Sequence, residues 1–158
     1  LFRLDDGRLC GLDRLDGLVH SAGVSGGWRT EESNRQVWRN ILEINVIAVS
    51  ELTRLTLEAL RAAEGTIVTI NSGSGLRASG AGGHYPASKF ALTALTDVLR
   101  EEERANGVRV SSVHPGKVDT DMQAEIVERQ RAELVLRTDF EGIDDFRNEA
   151  FVHREDRL

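Results

Sequence analysis

The sequence predicts an α/β domain built around a parallel β-sheet. Three short apolar runs, Leu15–His20, Thr66–Asn71 and Val108–Val113, are each too short for a helix and are typical of buried strands. Between them lie two longer segments in which apolar residues recur at helical spacing. Strands that alternate with helices at short separations usually form a parallel sheet with right-handed crossovers. We therefore expect the three strands to be adjacent, parallel and buried on both faces.

The first helical segment follows the first strand and contains an unexpected polar residue. After Thr30, two glutamates suit a helix N-terminus, because the helix dipole favours negative charge there. Apolar positions then recur to about Ala63, which is long for one helix, and Gly65 suits a C-terminal cap. Asn45 lies near the middle, where its amide competes for backbone hydrogen bonds. We expect a kink or a functional role at Asn45, and an exposed side chain is the simpler alternative.

The second helical segment begins at Tyr85-Pro86-Ala87-Ser88-Lys89 and runs to about Asn106. Pro86 suits the first turn of a helix, where its missing N–H costs nothing. Tyr85, the only tyrosine, lies four residues from Lys89, so both side chains share one helix face. A neighbouring ammonium favours a phenolate and lowers the pKa of a tyrosine, which then exchanges a proton with an alcohol or carbonyl oxygen more easily. A half-buried ring beside a solvated amine is the structural alternative.

The carboxyl ends of the three strands carry small and polar residues. They read His20-Ser21-Ala22-Gly23, Asn71-Ser72-Gly73 and His114-Pro115-Gly116. Ligands of open parallel sheets bind outside these ends, and small residues allow a close approach to the backbone. We therefore expect Ser72, Tyr85 and Lys89 to converge on one crevice.

One possible phosphate-binding loop does not fit its context. The run from Gly73 to Ala78 matches a loose G-x-G-x-x-A pattern after a strand. A dinucleotide fingerprint must open directly into a helix, whose N-terminus receives the pyrophosphate. Here the small residues from Ser79 to Gly83 follow, which disfavour a helix, so we reject this motif.

Composition and charge exclude several other classes of function. The net charge of −6 and the lack of a basic run argue against a nucleic-acid partner. Cys10 is the only cysteine and the four histidines are scattered, so we expect neither an intrachain disulfide nor a metal site. No apolar run approaches the roughly 20 residues of a membrane span, and residues 1–7 lack a signal-peptide pattern. We expect one cytoplasmic domain over residues 1–158, without a membrane partner.

Taken in order, these features resemble the short-chain dehydrogenases/reductases from about Leu15 to Met122. The resemblance rests on five landmarks that stand in the family's order and spacing. They are the run His20-Ser21-Ala22-Gly23, in place of the family's Asn-Asn-Ala-Gly, then Asn45, Ser72, the pair Tyr85 and Lys89, and Pro115-Gly116-Lys117-Val118-Asp119-Thr120.

The resemblance implies a nicotinamide-dependent oxidoreductase that interconverts an alcohol and a carbonyl, with NAD or NADP as the cofactor. In that family the residue that corresponds to Tyr85 is the general acid/base and the one that corresponds to Ser72 hydrogen-bonds the substrate oxygen. The lysine at the place of Lys89 lowers the pKa of that tyrosine and holds the nicotinamide ribose. The resemblance therefore places Lys89, together with its neighbour Tyr85, among the cofactor-binding residues. The asparagine at the place of Asn45 positions a water that links the lysine to solvent protons.

The resemblance also implies further cofactor contacts, a variable substrate segment and a subunit interface. Pro115, Gly116, Val118 and Thr120 are expected to hold the nicotinamide amide, and Ser21, Ala22 and Gly23 the adenosine side. Residues 121–158 correspond to the segment that reads a small-molecule substrate. A homodimer or homotetramer is expected through the helices that carry Asn45 and Tyr85, with Leu55, Leu92 and Leu99 covered by a partner. The alternative is that the leucines of these helices pack against neighbouring segments of the same chain.

Two features depart from the family. His20 and Ser21 replace paired asparagines, so the side-chain hydrogen bonds of this strand must differ. The family's N-terminal glycine-rich βαβ unit and the strand–helix steps after it, about 70 residues, are not among the 158, which predicts a partial Rossmann-like doubly wound parallel sheet. The alternative function is therefore a non-catalytic remnant that acts through oligomerisation or partner binding. Retention of Asn45, Ser72, Tyr85 and Lys89 together favours the enzyme.

Overall fold

The computed structural model describes residues 3–5, 8–26, 29–78, 82–116 and 128. All of these except Glu128 belong to the first of two compact units in the chain, Leu1–Gly116. The expected substrate segment, 121–158, lies outside the described residues apart from Glu128. Val118 and Thr120 also lie outside them.

The described residues form five strands and three α-helices, joined in places by single turns of other helix types. The strands are β1 (Arg3–Asp5), β2 (Arg8–Cys10), β3 (Gly17–His20), β4 (Thr66–Ile70) and β5 (Arg109–Val113). The α-helices are α1 (Arg35–Leu42), α2 (Ala48–Ala63) and α3 (His84–Glu102). A π-helical turn (Glu43–Ile47) joins α1 to α2, and 3₁₀ turns occupy Thr30–Glu32, Gly73–Gly75 and Arg104–Asn106.

The strands form two separate sheets. β3, β4 and β5 make a parallel sheet with β4 in the centre, in a register that pairs Gly17 with Thr66 and Thr66 with Arg109. This confirms that the three predicted strands are adjacent and parallel. β1 and β2 pair antiparallel in a small hairpin, in a part of the chain where the sequence pattern is weak.

The prediction that these strands are buried on both faces is wrong for the described residues. Ile67 and Val110 are buried against Leu60 of α2 and Leu99 of α3. Because side chains alternate along a strand, Val19 and Val113 point to the opposite face, where they are 61% and 45% exposed. The described helices therefore cover only one face of this sheet.

The first predicted helix differs from the structure at both ends. Thr30–Glu32 is an isolated 3₁₀ turn, and α1 begins after Asn34, whose side chain accepts the N–H groups of Gln36 and Val37. At the other end Glu64, with φ of 47°, takes the left-handed conformation that we expected of a glycine. Gly65 is needed for a different reason, since a Cβ there would lie 2.6 Å from the carbonyl oxygen of Leu15.

Two of the three leucines predicted at a subunit surface lie inside the chain. Leu92 and Leu99 are 2% and 7% exposed, and Leu55 is half-buried. The periodicity overestimated the apolar surface of α3, because these leucines already have neighbours within the same chain. The large apolar side chains that the described helices do expose are Ile47 at the end of the π-helical turn, Leu52, Phe90 and Val98. No helix among the described residues is long and apolar enough to cross a membrane.

Arg61 of α2 and Glu103, just after α3, form an ion pair between the two helices. The guanidinium donates to both carboxylate oxygens, with N–O distances of 2.8 and 2.6 Å, and Asn106 Nδ2 donates to Glu103 at 2.9 Å. Glu103 is 2% exposed, whereas the Arg61 side chain is 43% exposed. The hydrogen bonds from Arg61 lower the pKa of Glu103 against the opposing effect of burial.

Candidate active site

Asn45 lies in the π-helical turn between α1 and α2 and holds the loop that follows β3. It is 1% exposed, so the exposed alternative is wrong. Its Oδ1 accepts the N–H of Val24 at 2.8 Å, and its Nδ2 donates to the carbonyl oxygen of Val24 at 2.9 Å. Where the sequence predicted a kink or a functional role, the structure has a π-helical turn, which inserts one extra residue into a helix. Such turns are frequent at functional sites. The predicted role of Asn45 in positioning a water stays a prediction.

Ser88 links Asn45 to the turn that carries Tyr85. Asn45 Nδ2 also donates to Ser88 Oγ at 3.0 Å, and Ser88 Oγ donates to the carbonyl oxygen of Tyr85 at 2.8 Å. Ser88 is fully buried, so each of these bonds is shielded from water. Sequence reasoning missed this residue, and its one signal was a small polar side chain within an otherwise apolar helical pattern.

Lys89 is a buried cation next to the ring of Tyr85. The lysine is 4% exposed, and its Nζ lies 5.7 Å from the centroid of the tyrosine ring and 3.2 Å from the carbonyl oxygen of Ile70. Burial lowers the pKa of Lys89, because desolvation disfavours the ammonium form. An ammonium has three N–H donors, and the described residues supply one hydrogen-bond acceptor, the oxygen of Ile70. The lysine can therefore donate to a ligand.

Gly23 brings the loop after β3 against both Asn45 and Lys89. A Cβ at this position would lie 3.5 Å from Asn45 Oδ1 and 3.6 Å from Lys89 Nζ. The preceding Ser21 and Ala22 are exposed. The structure therefore gathers three of the predicted residues, Gly23, Asn45 and Lys89, at the carboxyl end of β3.

The histidine that replaces an expected asparagine at the end of β3 has a structural contact. His20 is 6% exposed, and its Nε2 lies 2.9 Å from Thr53 Oγ1 in α2. Thr53 donates its own hydroxyl proton to the carbonyl oxygen of Val49 at 2.8 Å, so His20 must be the donor. Burial lowers the pKa of His20, which favours the neutral ring. This bond ties β3 to α2 through the histidine that stands in place of the family's asparagine.

His84, the residue before Tyr85, holds the same loop at a second point. It is fully buried, with Nδ1 2.8 Å from Ser33 Oγ and Nε2 in contact with the carbonyl oxygen of Gly26. Its ring also packs edge-on against Trp38, with centroids 6.0 Å apart. The first turn of α3 is thus attached both to the loop after β3 and to the region where α1 begins.

Ser72 starts the 3₁₀ turn that follows β4. Its Oγ accepts the N–H of Ser74 at 3.1 Å, and its carbonyl oxygen accepts the N–H of Gly75 at 2.9 Å. Gly73 donates its N–H to the carbonyl oxygen of Pro115 at 3.1 Å, which brings the residues after β5 beside this turn. Ser72 and Pro115 therefore lie at neighbouring strand ends, as predicted.

The turn after β4 packs tightly on α3 close to Lys89. Asn71 Nδ2 donates to the carbonyl oxygen of Lys89 at 3.2 Å and to Thr93 Oγ1 at 2.9 Å. A Cβ on Gly75 would lie 2.7 Å from Asn71 Oδ1 and 2.8 Å from the carbonyl oxygen of Lys89, so only glycine fits without a shift. These contacts fix the strand end that carries Ser72 against the helix that carries Tyr85 and Lys89.

The part of the chain that the structure describes brings no three potential metal ligands together. The described residues instead place a buried ammonium beside a phenol, with small residues at the end of β3 and a hydroxyl at the end of β4. These groups are suited to hold a polar ligand and to move a proton.

Comparison with known proteins identifies what this arrangement resembles. The model of the short chain dehydrogenase family matches residues 9–131. An NAD-dependent oxidoreductase of Mycobacterium tuberculosis is 41% identical over 111 residues, which cover 69% of this chain and 40% of the relative. A cyclopentanol dehydrogenase of a Comamonas species is 34% identical over 125 residues, 78% of this chain and 50% of the relative.

Solved structures give the same result. A short chain dehydrogenase of Shigella flexneri superposes with a TM-score of 0.68 at 36% identity, over 72% of this chain and 45% of that one. A short chain dehydrogenase of Escherichia coli in complex with NADPH also reaches a TM-score of 0.68, at 35% identity over 72% of this chain and 48% of that one. The chain thus spans about half the length of these relatives or less.

Proposed function

Because the chain belongs to the short-chain dehydrogenase family, we propose that it is an NAD- or NADP-dependent oxidoreductase that interconverts an alcohol and a carbonyl by hydride transfer. The observation that carries the proposal is the buried Lys89 ammonium beside the Tyr85 ring, with Gly23 and Asn45 next to the same ammonium. Burying a charged amine costs free energy that an exposed lysine does not, so buried lysines with a shifted pKa cluster at functional sites.

Lys89 and the loop after β3 are proposed to hold two parts of a nicotinamide nucleotide. Lys89 offers N–H donors to the hydroxyl groups of the nicotinamide ribose. Ser21, Ala22 and Gly23 are proposed to lie on the adenosine side, where Gly23 lets the nucleotide approach the backbone of the loop. A relative named as NAD-dependent and a neighbour solved with NADPH support this assignment, and both cofactors are kept in the proposal. When bound, the nicotinamide ring supplies the hydride chemistry. Pro115 and Gly116, beside the turn that Ser72 begins, are proposed to line its amide, and Val118 and Thr120 keep the same expected role.

The proton is proposed to move through Tyr85. In the reducing direction its hydroxyl gives a proton to the carbonyl oxygen of the substrate, and in the oxidising direction the phenolate takes one from the alcohol. Lys89 places its amine beside the ring, with Nζ 5.7 Å from the ring centroid. Ser72 Oγ accepts the N–H of Ser74, and its own O–H is proposed to donate to the substrate oxygen.

The test of the proposed function is turnover. The protein is incubated with NAD⁺ or NADP⁺ and a panel of small secondary alcohols that includes cyclopentanol, and the absorbance of the reduced nicotinamide is followed. The reverse reaction uses the corresponding ketones. We expect turnover with at least one pair of cofactor and alcohol. A folded protein that binds neither cofactor and turns over no substrate would instead support the non-catalytic alternative.

We also propose that the protein is a homodimer or a tetramer built from it. Ile47, Leu52, Phe90 and Val98 are 40% to 52% exposed on the π-helical turn, α2 and α3. Apolar surface that is contiguous on such helices marks an interface. A patch that meets its own copy across a two-fold axis is self-complementary.

The oligomer is tested by light scattering at micromolar concentration. Phe90→Glu is expected to yield a monomer, because a charge at a buried interface is costly. Leu76→Glu is the control, since Leu76 is 61% exposed and lies outside these helices. A wild-type protein that is monomeric at this concentration contradicts the proposal.

A further inference from the structure

His114 is a half-buried titratable residue next to the candidate active site, and the proposed mechanism does not use it. It follows β5 directly, and its Nδ1 lies 3.0 Å from the carbonyl oxygen of Ser72. A carbonyl oxygen can only accept a hydrogen bond, so Nδ1 must carry the proton and donate it. The structure therefore assigns the Nδ1–H form to the neutral ring of His114.

This contact differs in kind from the other hydrogen bonds that hold Ser72. The N–H groups of Ser74 and Gly75 bond the side chain and carbonyl of Ser72, but both belong to the turn that Ser72 itself begins. Among the described residues two bonds tie the Ser72–Gly73 peptide to the β5 side: the Gly73 N–H donates to the carbonyl oxygen of Pro115, and the ring of His114 donates to the carbonyl oxygen of Ser72. Pro115, the next residue, has no N–H to offer. The His114 ring thus anchors the Ser72 carbonyl to the neighbouring strand.

We propose that His114 is a positioning residue that fixes Ser72 so that its hydroxyl points at the substrate oxygen, a role that rests on the proposed function. The Ser72–Gly73 peptide is held at its carbonyl by His114 and at its N–H by the carbonyl oxygen of Pro115. Loss of the His114 bond would let this peptide shift, and a shift of the Ser72 Cα would carry Oγ away from the substrate. A displacement of about 1 Å in a group that orients the substrate costs up to about 10²-fold in rate.

The chemistry of the side chain suggests a matched set of variants. The Nδ2 of an asparagine stands as far from Cβ along the chain as the Nδ1 of a histidine, whereas the amide of a glutamine is one carbon further. His114→Asn therefore keeps a donor at the required position, His114→Gln moves it, and His114→Leu removes it.

We expect His114→Leu to lower kcat by about 10-fold or more, while the Kd of the cofactor changes little. His114→Asn should recover most of the lost rate and His114→Gln should not. His114→Gln supplies the comparison if the leucine variant fails to fold, because glutamine is also polar. Equal kcat values for wild type and His114→Leu, or for the asparagine and glutamine variants, would overturn the role while leaving the proposed function intact.

The pH dependence of kcat separates positioning from proton transfer. The Nδ1–H is present in both the neutral and the protonated ring, so a positioning role predicts the same pH profile for wild type and for His114→Asn, which cannot titrate. If His114 relays a proton, a limb of the profile disappears in the asparagine variant, and the positioning role is wrong.

A measurement without turnover tests the contact itself. The ¹⁵N shifts of the His114 ring, recorded by NMR above the pH at which it is protonated, distinguish the Nδ1–H from the Nε2–H tautomer. We expect Nδ1–H, and the Nε2–H tautomer would overturn the inference. If the tautomer is Nδ1–H but no substrate is turned over, the proposed function has failed and the role of His114 in catalysis fails with it.

Discussion

Replacing Asn45 by alanine should loosen the loop that follows β3. The asparagine side chain makes three hydrogen bonds, two to the backbone of Val24 and one to Ser88 Oγ, and it is almost completely buried. Alanine makes none of them. The N–H and carbonyl of Val24 then lose their partner, and Ser88 loses a donor but keeps its own bond to the carbonyl oxygen of Tyr85.

The expected cost follows from these contacts. Each hydrogen bond contributes about 0.5–1.5 kcal/mol net, so the three together contribute about 1.5–4.5 kcal/mol. Alanine returns about 0.5 kcal/mol through its higher helix propensity. Val24 is half-buried, so water can reach part of its freed backbone. We expect Asn45→Ala to lower the free energy of unfolding by about 2 kcal/mol, a large fraction of the roughly 5–15 kcal/mol of a typical domain.

Urea unfolding followed by circular dichroism measures this loss. Asn40→Ala is the matched control, because Asn40 is an exposed asparagine in α1, and its replacement should stay within about 0.5 kcal/mol of wild type. Cofactor affinity should also fall in Asn45→Ala, since Val24 follows Gly23, which is proposed to contact the cofactor. If Asn45→Ala were as mild as Asn40→Ala, the hydrogen bonds of Asn45 would not hold the loop, and the reasoning would be refuted.

Two further predictions concern the packing around the site. Glu103→Gln should lower the free energy of unfolding by about 1–2 kcal/mol near neutral pH. Arg61 lowers the pKa of Glu103 in the folded state, so the extra stability of the wild type is present above the ordinary carboxyl pKa and is lost as the pH falls through the lower folded-state pKa. The urea unfolding curves of the two proteins should therefore converge in acid. A gap that persists in acid contradicts that assignment. Gly75→Ala should lower the free energy of unfolding by about 1–3 kcal/mol, because its Cβ would lie 2.8 Å from the backbone oxygen of Lys89. Gly17→Ala is the control: its Cβ would have its nearest contact at 3.9 Å, so this variant should be neutral or slightly stabilising. Equal thermal midpoints for these two glycine variants would show that the turn can move.

Local periodicity was sufficient to predict the sheet and the central pair of the site. The β-branched run Thr66–Ile70 is too short for a helix and became the central strand. Tyr85 and Lys89 lie four residues apart in one helix, so their proximity follows from the geometry of a single turn. Asn45 attracted notice for the same kind of reason, since it is a polar residue in an apolar helical pattern.

The features that sequence reasoning missed depend on contacts between distant parts of the chain. Ser88 matters because it meets Asn45, 43 residues away, and His114 because it meets Ser72, 42 residues away. No local pattern encodes such pairs. The errors on Leu92 and Leu99 have the same origin, because periodicity shows which face of a helix is apolar but does not show what covers it.

The role of Lys89 can be separated from that of Tyr85 by measuring binding and turnover in parallel. Lys89→Ala removes both the donor proposed for the ribose and the charge beside the tyrosine ring. We therefore expect it to weaken cofactor binding and to reduce kcat. A variant that lost turnover while binding cofactor as wild type does would confine Lys89 to the proton-transfer step.

The most direct test of the proposed mechanism is the turnover of Tyr85→Phe on a substrate that the wild-type protein accepts, measured at saturating cofactor. Phenylalanine keeps the ring in place and removes only the hydroxyl that donates or accepts the proton. We predict that kcat falls by about 10²-fold or more, with cofactor affinity nearly unchanged. Near-full activity in Tyr85→Phe would contradict the assignment of Tyr85 as the general acid/base.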